Sequence, residues 1–313
     1  MAGKTTNATL TGSLKYREVL READRLLKLR ADPREWIESN LQIRTKDRRV
    51  VPFRFNAVQA DYYLRRTSRD LILKPRQLGF TTLICGLFFA DAVLRPHTTS
   101  TIAADDSDSS QKIFGIVRFF WEHLPEEQKR RIGKPQILNR QEMYWPGLNS
   151  RFYVGTAGSL TFGRGQTINN LLCTEFAFWP KPEEALRALS QAVPADGMIV
   201  VESTPNGVGN YFHDLWVQAK QTENRCRPHF YAWWYDLGYR LSGPALGGLT
   251  EEEQALKKSR GLSDDQIRRR LLDGSRPRLV GLIDSSSAFW GRHRSPRCRL
   301  RGKCSYSALV ALL

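Results

Sequence analysis

Several short stretches carry side chains whose types and spacing could do phosphate chemistry. The first is Lys74-Pro75-Arg76-Gln77-Leu78-Gly79-Phe80-Thr81-Thr82, which follows the apolar run Leu71-Ile72-Leu73 and precedes a long apolar segment from Leu83 to Leu94. Strand, glycine turn and helix in that order place backbone N–H groups and a helix N-terminus around a polyphosphate. Against the pattern G-x-x-x-x-G-K-[ST], Gly79 stands at the second glycine and Thr81 at the Mg²⁺-binding hydroxyl. Phe80 occupies the lysine position and Lys74 the first glycine. On the functional reading Lys74 supplies the phosphate-neutralising ammonium from the other end of the loop. The alternative is an ordinary strand-to-helix turn.

The second stretch runs from Asn169 to Pro180, an apolar strand ending in Thr174-Glu175. An ATPase needs such a strand opposite its phosphate loop, one polar group helping to hold hydrated Mg²⁺ and a glutamate polarising the attacking water. Here the metal side holds Thr174, where an aspartate is usual, and Glu175 is the one carboxylate; capping of the next helix is its other reading. A third stretch, Ser203-Thr204-Pro205-Asn206-Gly207, ends another apolar strand with hydroxyls and turn formers. Ligands of parallel α/β sheets bind at such carboxyl ends, so these groups could sense a γ-phosphate, or form a plain turn. Between 155 and 166 lies a glycine-rich loop in which Arg164 sits between Gly163 and Gly165, on a pliable perch from which a guanidinium could reach a phosphate. Upstream, Gln59 has an amide able to read an adenine edge, donating and accepting at once, or to lie on the surface. The Asp105-Asp106-Ser107-Asp108 cluster reads as a helix cap, with metal ligation as its alternative.

The elements that must position these groups alternate strand and helix. Buried strands are expected at Leu71–Leu73, Thr98–Ala103, Asn169–Cys173, Gly197–Glu202 and His229–Tyr235. Helices are expected at Leu83–Leu94, Lys112–Leu124, Ala185–Ala192 and Tyr211–Lys220, and a strand pair at Glu142–Trp145 and Arg151–Val154. The stretch from Pro125 to Pro135 reads as a charged loop. This pattern implies a mainly parallel sheet covered by helices on both faces. Before it, residues 1–50 read as an N-terminal helical arm, two amphipathic helices broken near Asp32-Pro33 with Asp32 as a cap. At 313 residues the chain is long enough for a sizeable core. No apolar run suits a membrane helix or signal peptide. Five scattered cysteines argue against a disulfide framework or zinc site. A net charge of +16 points to a polyanionic partner, most simply nucleic acid.

With the phosphate loop, the Glu175 strand and the Ser203–Gly207 turn in this order, the chain resembles the large terminase subunit of tailed bacteriophages over roughly Val51 to Asp236. The resemblance rests on Arg76–Thr82, on Thr174-Glu175-Phe176-Ala177-Phe178-Trp179-Pro180 and on Ser203–Phe212. It implies a RecA-like P-loop ATPase domain over residues 51–245 that hydrolyses ATP with Mg²⁺ to move double-stranded DNA into a capsid. It places Gln59, Lys74, Arg76, Gln77, Gly79, Thr81 and Thr82 around the nucleotide. Thr81 and Thr174 fall on the metal side, Glu175 is the catalytic carboxylate, and Arg164 contacts nucleotide in cis or in a neighbour. Ser203, Thr204 and Asn206 form the motif coupling hydrolysis to movement. Implied partners are the small terminase subunit and the capsid portal, in a homo-oligomeric ring in the bacterial host cytoplasm, with no membrane. Phe80 and Thr174 depart from the family's lysine and aspartate. A catalytically inactive terminase remnant that binds DNA or partner subunits, or a helicase-type nucleic-acid ATPase, are the rival readings.

Residues 246–268 resemble the start of the family's linker. From Arg269 to Leu313 ten Arg/Lys stand against Asp273 and Asp284, a net of +8 and half of the whole chain's charge. Helical and strand periodicity fade there. The stretch is expected to be an atypical basic tail, disordered or translated out of frame, with no metal-dependent nuclease activity; a genuine basic DNA-binding tail is the other account.

Overall fold

Odd and even residues of the central strands lead to two different cores. Ile72, Leu172 and Val200 join one cluster, while Leu71, Leu73, Leu171, Cys173, Ile199 and Val201 join another. This is the period-two alternation of a sheet buried on both faces. The computed structural model describes residues 24, 25, 27–29, 32–158, 167–236, 238–244 and 246–272. In chain order the strands are β1 (Gln42–Arg44), β2 (Val50–Pro52), β3 (Arg69–Leu73), β4 (Thr99–Ala104), β5 (Ile137–Leu138), β6 (Glu142–Trp145), β7 (Ser150–Thr156), β8 (Asn170–Cys173), β9 (Met198–Ser203) and β10 (Arg227–Phe230).

The main sheet has the order β10-β3-β9-β8-β4-β7-β6-β5. From β10 to β7 every pairing is parallel, and the β7-β6-β5 edge is antiparallel. Parallel neighbours need crossovers, and helices supply them. One face carries helices Ala57–Arg65, Phe80–Leu94 and Ser107–Glu122, with the aromatic residues Trp36, Phe53, Phe89, Phe120 and Trp145 in the same core. The other face carries helices Pro182–Gln191 and Tyr211–Lys220. The fold class expected from sequence is therefore the one observed.

Helix Phe80–Leu94 is apolar nearly all round, as a helix wedged between a sheet and other helices must be. Helix Ser107–Glu122 is amphipathic and begins at Asp106, whose carboxylate accepts from the Ser109 N–H at 2.7 Å. Asp32 accepts from the Arg34 N–H at the start of helix Arg34–Asn40, which buries Trp36 and Ile37 in the main core rather than reaching away.

Three local expectations are corrected. The end of the stretch read as a helical arm is not helical: β1 and β2 pair there as an antiparallel hairpin. The stretch read as a charged loop contains helix Glu126–Ile132, with Glu126 and Glu127 in its first turn and Lys129, Arg130 and Arg131 in its last. That charge order complements the helix dipole, and only Gln128 and Ile132 are buried, so the periodicity is too thin to read. The last strand is Arg227–Phe230, earlier and shorter than expected. After it the chain leaves the sheet edge in a 3₁₀ turn, Trp233–Tyr235, because Trp233 packs with Leu256, Leu262 and Ile267 of a third, smaller core. Helices Glu251–Arg260 and Asp264–Leu272 build that core, and the second continues across the composition change at 268.

Candidate functional site

The phosphate-loop stretch leaves β3 at Leu73 and enters helix Phe80–Leu94 through two left-handed residues, Gln77 (φ 68°) and Gly79 (φ 75°). Glycine at 79 is required twice over. Its left-handed φ is costly for a residue with a side chain, and a Cβ there would stand 2.8 Å from the Gln59 Nε2. Gln59 holds the loop from beneath. Its Nε2 donates to the Gly79 carbonyl at 2.8 Å, and its Oε1 accepts from the Asn56 N–H at 3.0 Å, completing a capping box at the start of helix Ala57–Arg65. The amide expected to face adenine is thus engaged in supporting the loop. Gln77 is exposed, and its Oε1 accepts from Lys46 on the β1–β2 hairpin at 2.8 Å. Phe80, at the usual lysine position, turns into the core against the rings of Tyr62 and Tyr231, with centroids at 5.8 and 4.7 Å.

A cleft of about 590 Å³ opens over this loop, lined by Lys74, Arg76, Gly79, Thr81, Thr82 and Glu175, with Asp105 and Lys112 on the wall formed by the end of β4 and the next helix. Across it lie the ends of β8 and β9. Lys74 donates through Nζ to Glu175 Oε1 at 3.1 Å. Glu175 Oε2 accepts from the Thr204 N–H at 3.2 Å and from the Thr204 hydroxyl at 2.9 Å. Burial works against the Glu175 carboxylate, yet Lys74 and these two bonds hold its pKa below the ordinary glutamate value. Glu175 itself sits in the left-handed region (φ 48°, ψ 40°). That conformation costs about 1–3 kcal/mol and persists only where surrounding contacts over-determine it.

Ser203 and Asn206 tie the same two strand ends together. The Ser203 hydroxyl accepts from the Ala177 N–H at 3.0 Å, and the Asn206 amide donates to the Ala177 carbonyl at 3.0 Å. The turn after β9 is thereby fastened to the segment after Glu175 by three residues, Ser203, Thr204 and Asn206.

A carboxylate not singled out from sequence completes the site. Glu202 is wholly buried near the end of β9, where its Oε1 accepts from the Thr81 hydroxyl at 2.6 Å and from the Thr174 hydroxyl at 2.9 Å. Its Oε2 is buried with no hydrogen-bond partner. The signal for it was present. Glu202 shares the parity of Val200, which faces the core of the phosphate-loop helix, so a carboxylate there must be buried on that side. For Lys74, burial favours the neutral amine, but the charges of Glu202 and then Glu175 override it and hold its pKa above the ordinary lysine value.

Thr174 is buried, its hydroxyl turned to Glu202 rather than to the cleft. In the acidic cluster Asp106 makes the helix cap, which leaves Asp105 lining the cleft with a buried Oδ1 that has no partner. Arg164 lies outside the described residues, as does the tail beyond 272. No group of three or more His, Cys, Asp or Glu able to hold a metal occurs among the described residues, and no described helix is long and apolar enough to cross a membrane.

The fold is similar to those of solved structures. The large terminase of HK97 bacteriophage is 16% identical, with a TM-score of 0.56 over 78% of this chain and 51% of that one. This chain thus spans about half the length of that protein. The large terminase ATPase domain of a Thermus phage is 21% identical (TM-score 0.41, 53% of this chain and 70% of that one). The large terminase of a thermophilic bacteriophage in complex with ADP is 10% identical (TM-score 0.45, 66% of this chain and 50% of that one). No curated protein matches. A family model described as terminase large subunit, T4likevirus-type, N-terminal, matches residues 71–290, more than half of the chain and every described residue of the cleft, and the chain belongs to that family.

Proposed function

We propose that this chain is the ATPase of a phage DNA-packaging motor, binding ATP with Mg²⁺ and coupling its hydrolysis to movement of double-stranded DNA. The observation that carries the reading is the Lys74–Glu175–Thr204 chain of bonds across the cleft. It puts a cation from the loop, a carboxylate from β8 and a hydroxyl from the turn after β9 within one set of contacts.

Each residue then has a task. Backbone N–H groups of the loop and the N-terminus of helix Phe80–Leu94 receive the phosphates, with Lys74 and Arg76 neutralising their charge. Because Lys74 already stands at the loop's first position, Phe80 is free to pack in the core. Glu175, held ionised, accepts a proton from or orients the attacking water. Thr204 senses where that carboxylate points, and Ser203 and Asn206 pass the change to the turn leading into helix Tyr211–Lys220, a coupling element between strand ends. The oxygen donors at the inner end of the cleft suit Mg²⁺, which when bound neutralises the charge of the transferring phosphoryl group. Gln59 fixes the loop through the Gly79 carbonyl, and Arg164 supplies a guanidinium in cis or to a neighbouring subunit. Basic side chains grip DNA phosphates without reading sequence. The motor works as a ring with the small terminase subunit and the capsid portal, in the cytoplasm of the bacterial host.

The test is ATP hydrolysis by the purified chain, with and without double-stranded DNA, beside Lys74→Ala and Glu175→Gln. Turnover in the parent and its loss in both variants is the expected result. ATP binding with no turnover, even with DNA and portal added, favours the inactive-remnant reading, and no ATP binding overturns the ATPase reading altogether.

A further inference from the structure

The structure assigns Glu202 as the carboxylate of the divalent-cation site, moved one strand over from the place where the family carries an aspartate. The inference rests on the ATPase reading above and adds a residue to it.

The acidic position on β8 is Thr174, so that strand brings no metal-side charge. On the neighbouring strand, Glu202 points to the same face, and one of its oxygens accepts from both Thr174 and Thr81. Thr81 is the hydroxyl at the metal position of the phosphate loop. A carboxylate touching that hydroxyl occupies the chemical role that a β8 aspartate would fill from the other side of Thr174. Threonine at 174 is then complementary rather than defective, since its hydroxyl orients Glu202, whereas an aspartate beside a buried glutamate would place two like charges together.

The second oxygen points to a ligand independently. Glu202 is fully buried, and its Oε2 has no partner among the described residues, a state more costly for a charged group than for a neutral one. Glutamine would satisfy both hydroxyls through its oxygen but would set a buried NH₂ in place of Oε2, whereas the carboxylate presents there a charged acceptor that a cation can use. Mg²⁺ is bound through one or two carboxylates, a hydroxyl, waters and phosphate oxygens, which is the set formed by Glu202, Thr81 and a bound nucleotide. Before nucleotide arrives, the positive charge of Lys74 offsets the Glu202 charge in part. Lys74 bonds to Glu175 rather than to Glu202, which leaves the orphaned oxygen for another donor.

The experiment titrates Mn²⁺ by electron paramagnetic resonance into the full chain with ATPγS, for the parent, Glu202→Gln and Thr174→Asp/Glu202→Thr. ATPγS binding in EDTA is measured alongside. Glu202→Gln keeps the acceptor for Thr81 and loses the charge. Its Mn²⁺ half-saturation is expected to rise about tenfold or more, with ATPγS binding in EDTA unchanged. The double variant, which moves the carboxylate to the family's usual strand, is expected to regain parent-like Mn²⁺ binding. Parent-like Mn²⁺ binding in a folded Glu202→Gln overturns the assignment while leaving the ATPase reading intact. If Glu202→Gln does not fold, Glu202→Thr alone takes its place, and parent-like Mn²⁺ half-saturation in that folded variant overturns the assignment instead. A parent that binds no ATPγS, with or without Mn²⁺, fails the ATPase reading itself and takes this inference with it.

Discussion

Two carboxylates at the ends of neighbouring strands solve the same problem, a charge in a poorly hydrated place, in opposite ways. On the open side Glu175 is only partly buried and fully bonded, to Lys74 at one oxygen and to Thr204 at the other. Behind the Thr81 hydroxyl, beneath the cleft lining, Glu202 is wholly buried, bonded at one oxygen and orphaned at the other. A satisfied carboxylate is poised to trade partners when a phosphate draws the lysine away. An unsatisfied one is poised to gain a partner. The difference teaches that a carboxylate at the Thr81 hydroxyl need not come from the end of β8: here the adjacent parallel strand presents it.

The comparison can be broken most forcefully at Lys74, which both sides share. Lys74→Met leaves two carboxylates without their cation and is expected to lower stability by about 3 kcal/mol or more, measured by urea unfolding. In that background Glu202→Gln should recover more stability than Glu175→Gln, because Glu202 is the more deeply buried and the stronger charge partner. The reverse order would mean that the open side dominates. Glu175→Gln in the parent background should cut turnover by about a hundredfold or more while ATPγS affinity holds, since it removes a base and not a phosphate contact. Gly79→Ala acts on the loop that both sides depend on. The left-handed φ and the approach to Gln59 together should cost about 1–2 kcal/mol, and Gln59→Ala in the same chain should return part of it by removing the contact. Thr204→Val takes two hydrogen bonds down to one at Glu175 Oε2 and should cost about 1 kcal/mol. Its larger signature is lost DNA stimulation of turnover, and unchanged stimulation would remove Thr204 from the coupling role.

Much of this was legible from residue order. Helix Tyr211–Lys220 and the strands around Lys74, Glu175 and Ser203 stand where the sequence places them, because the helix starts at the Asn210 cap and each strand is an apolar run that ends in polar or turn-forming residues. Short, charge-dominated helix Glu126–Ile132 was not legible, since its support is electrostatic and local. Nor was the departure of the chain at Phe230, which a tertiary contact, Trp233 with the C-terminal helices, decides against an aromatic run that reads as strand. In the site, motif spacing led to Lys74, Thr81 and Glu175. It passed over Glu202, because a motif looks along one strand, and this residue acts on its neighbour through sheet register. Gln59 shows the opposite limit: its amide can be assigned to an adenine from sequence, but only the folded chain reveals that the same amide is tied to Gly79.

The inward turn of Phe80 has an evolutionary consequence. A loop that carries its lysine at the first position and a loop that carries it before the threonine cannot be interconverted by one substitution in this chain. Lysine at 80 would replace a ring packed between Tyr62 and Tyr231, and losing Lys74 first would strand Glu202 and Glu175. The aromatic core beneath the loop is therefore expected to resist a lysine at 80 unless Tyr62 and Tyr231 change with it.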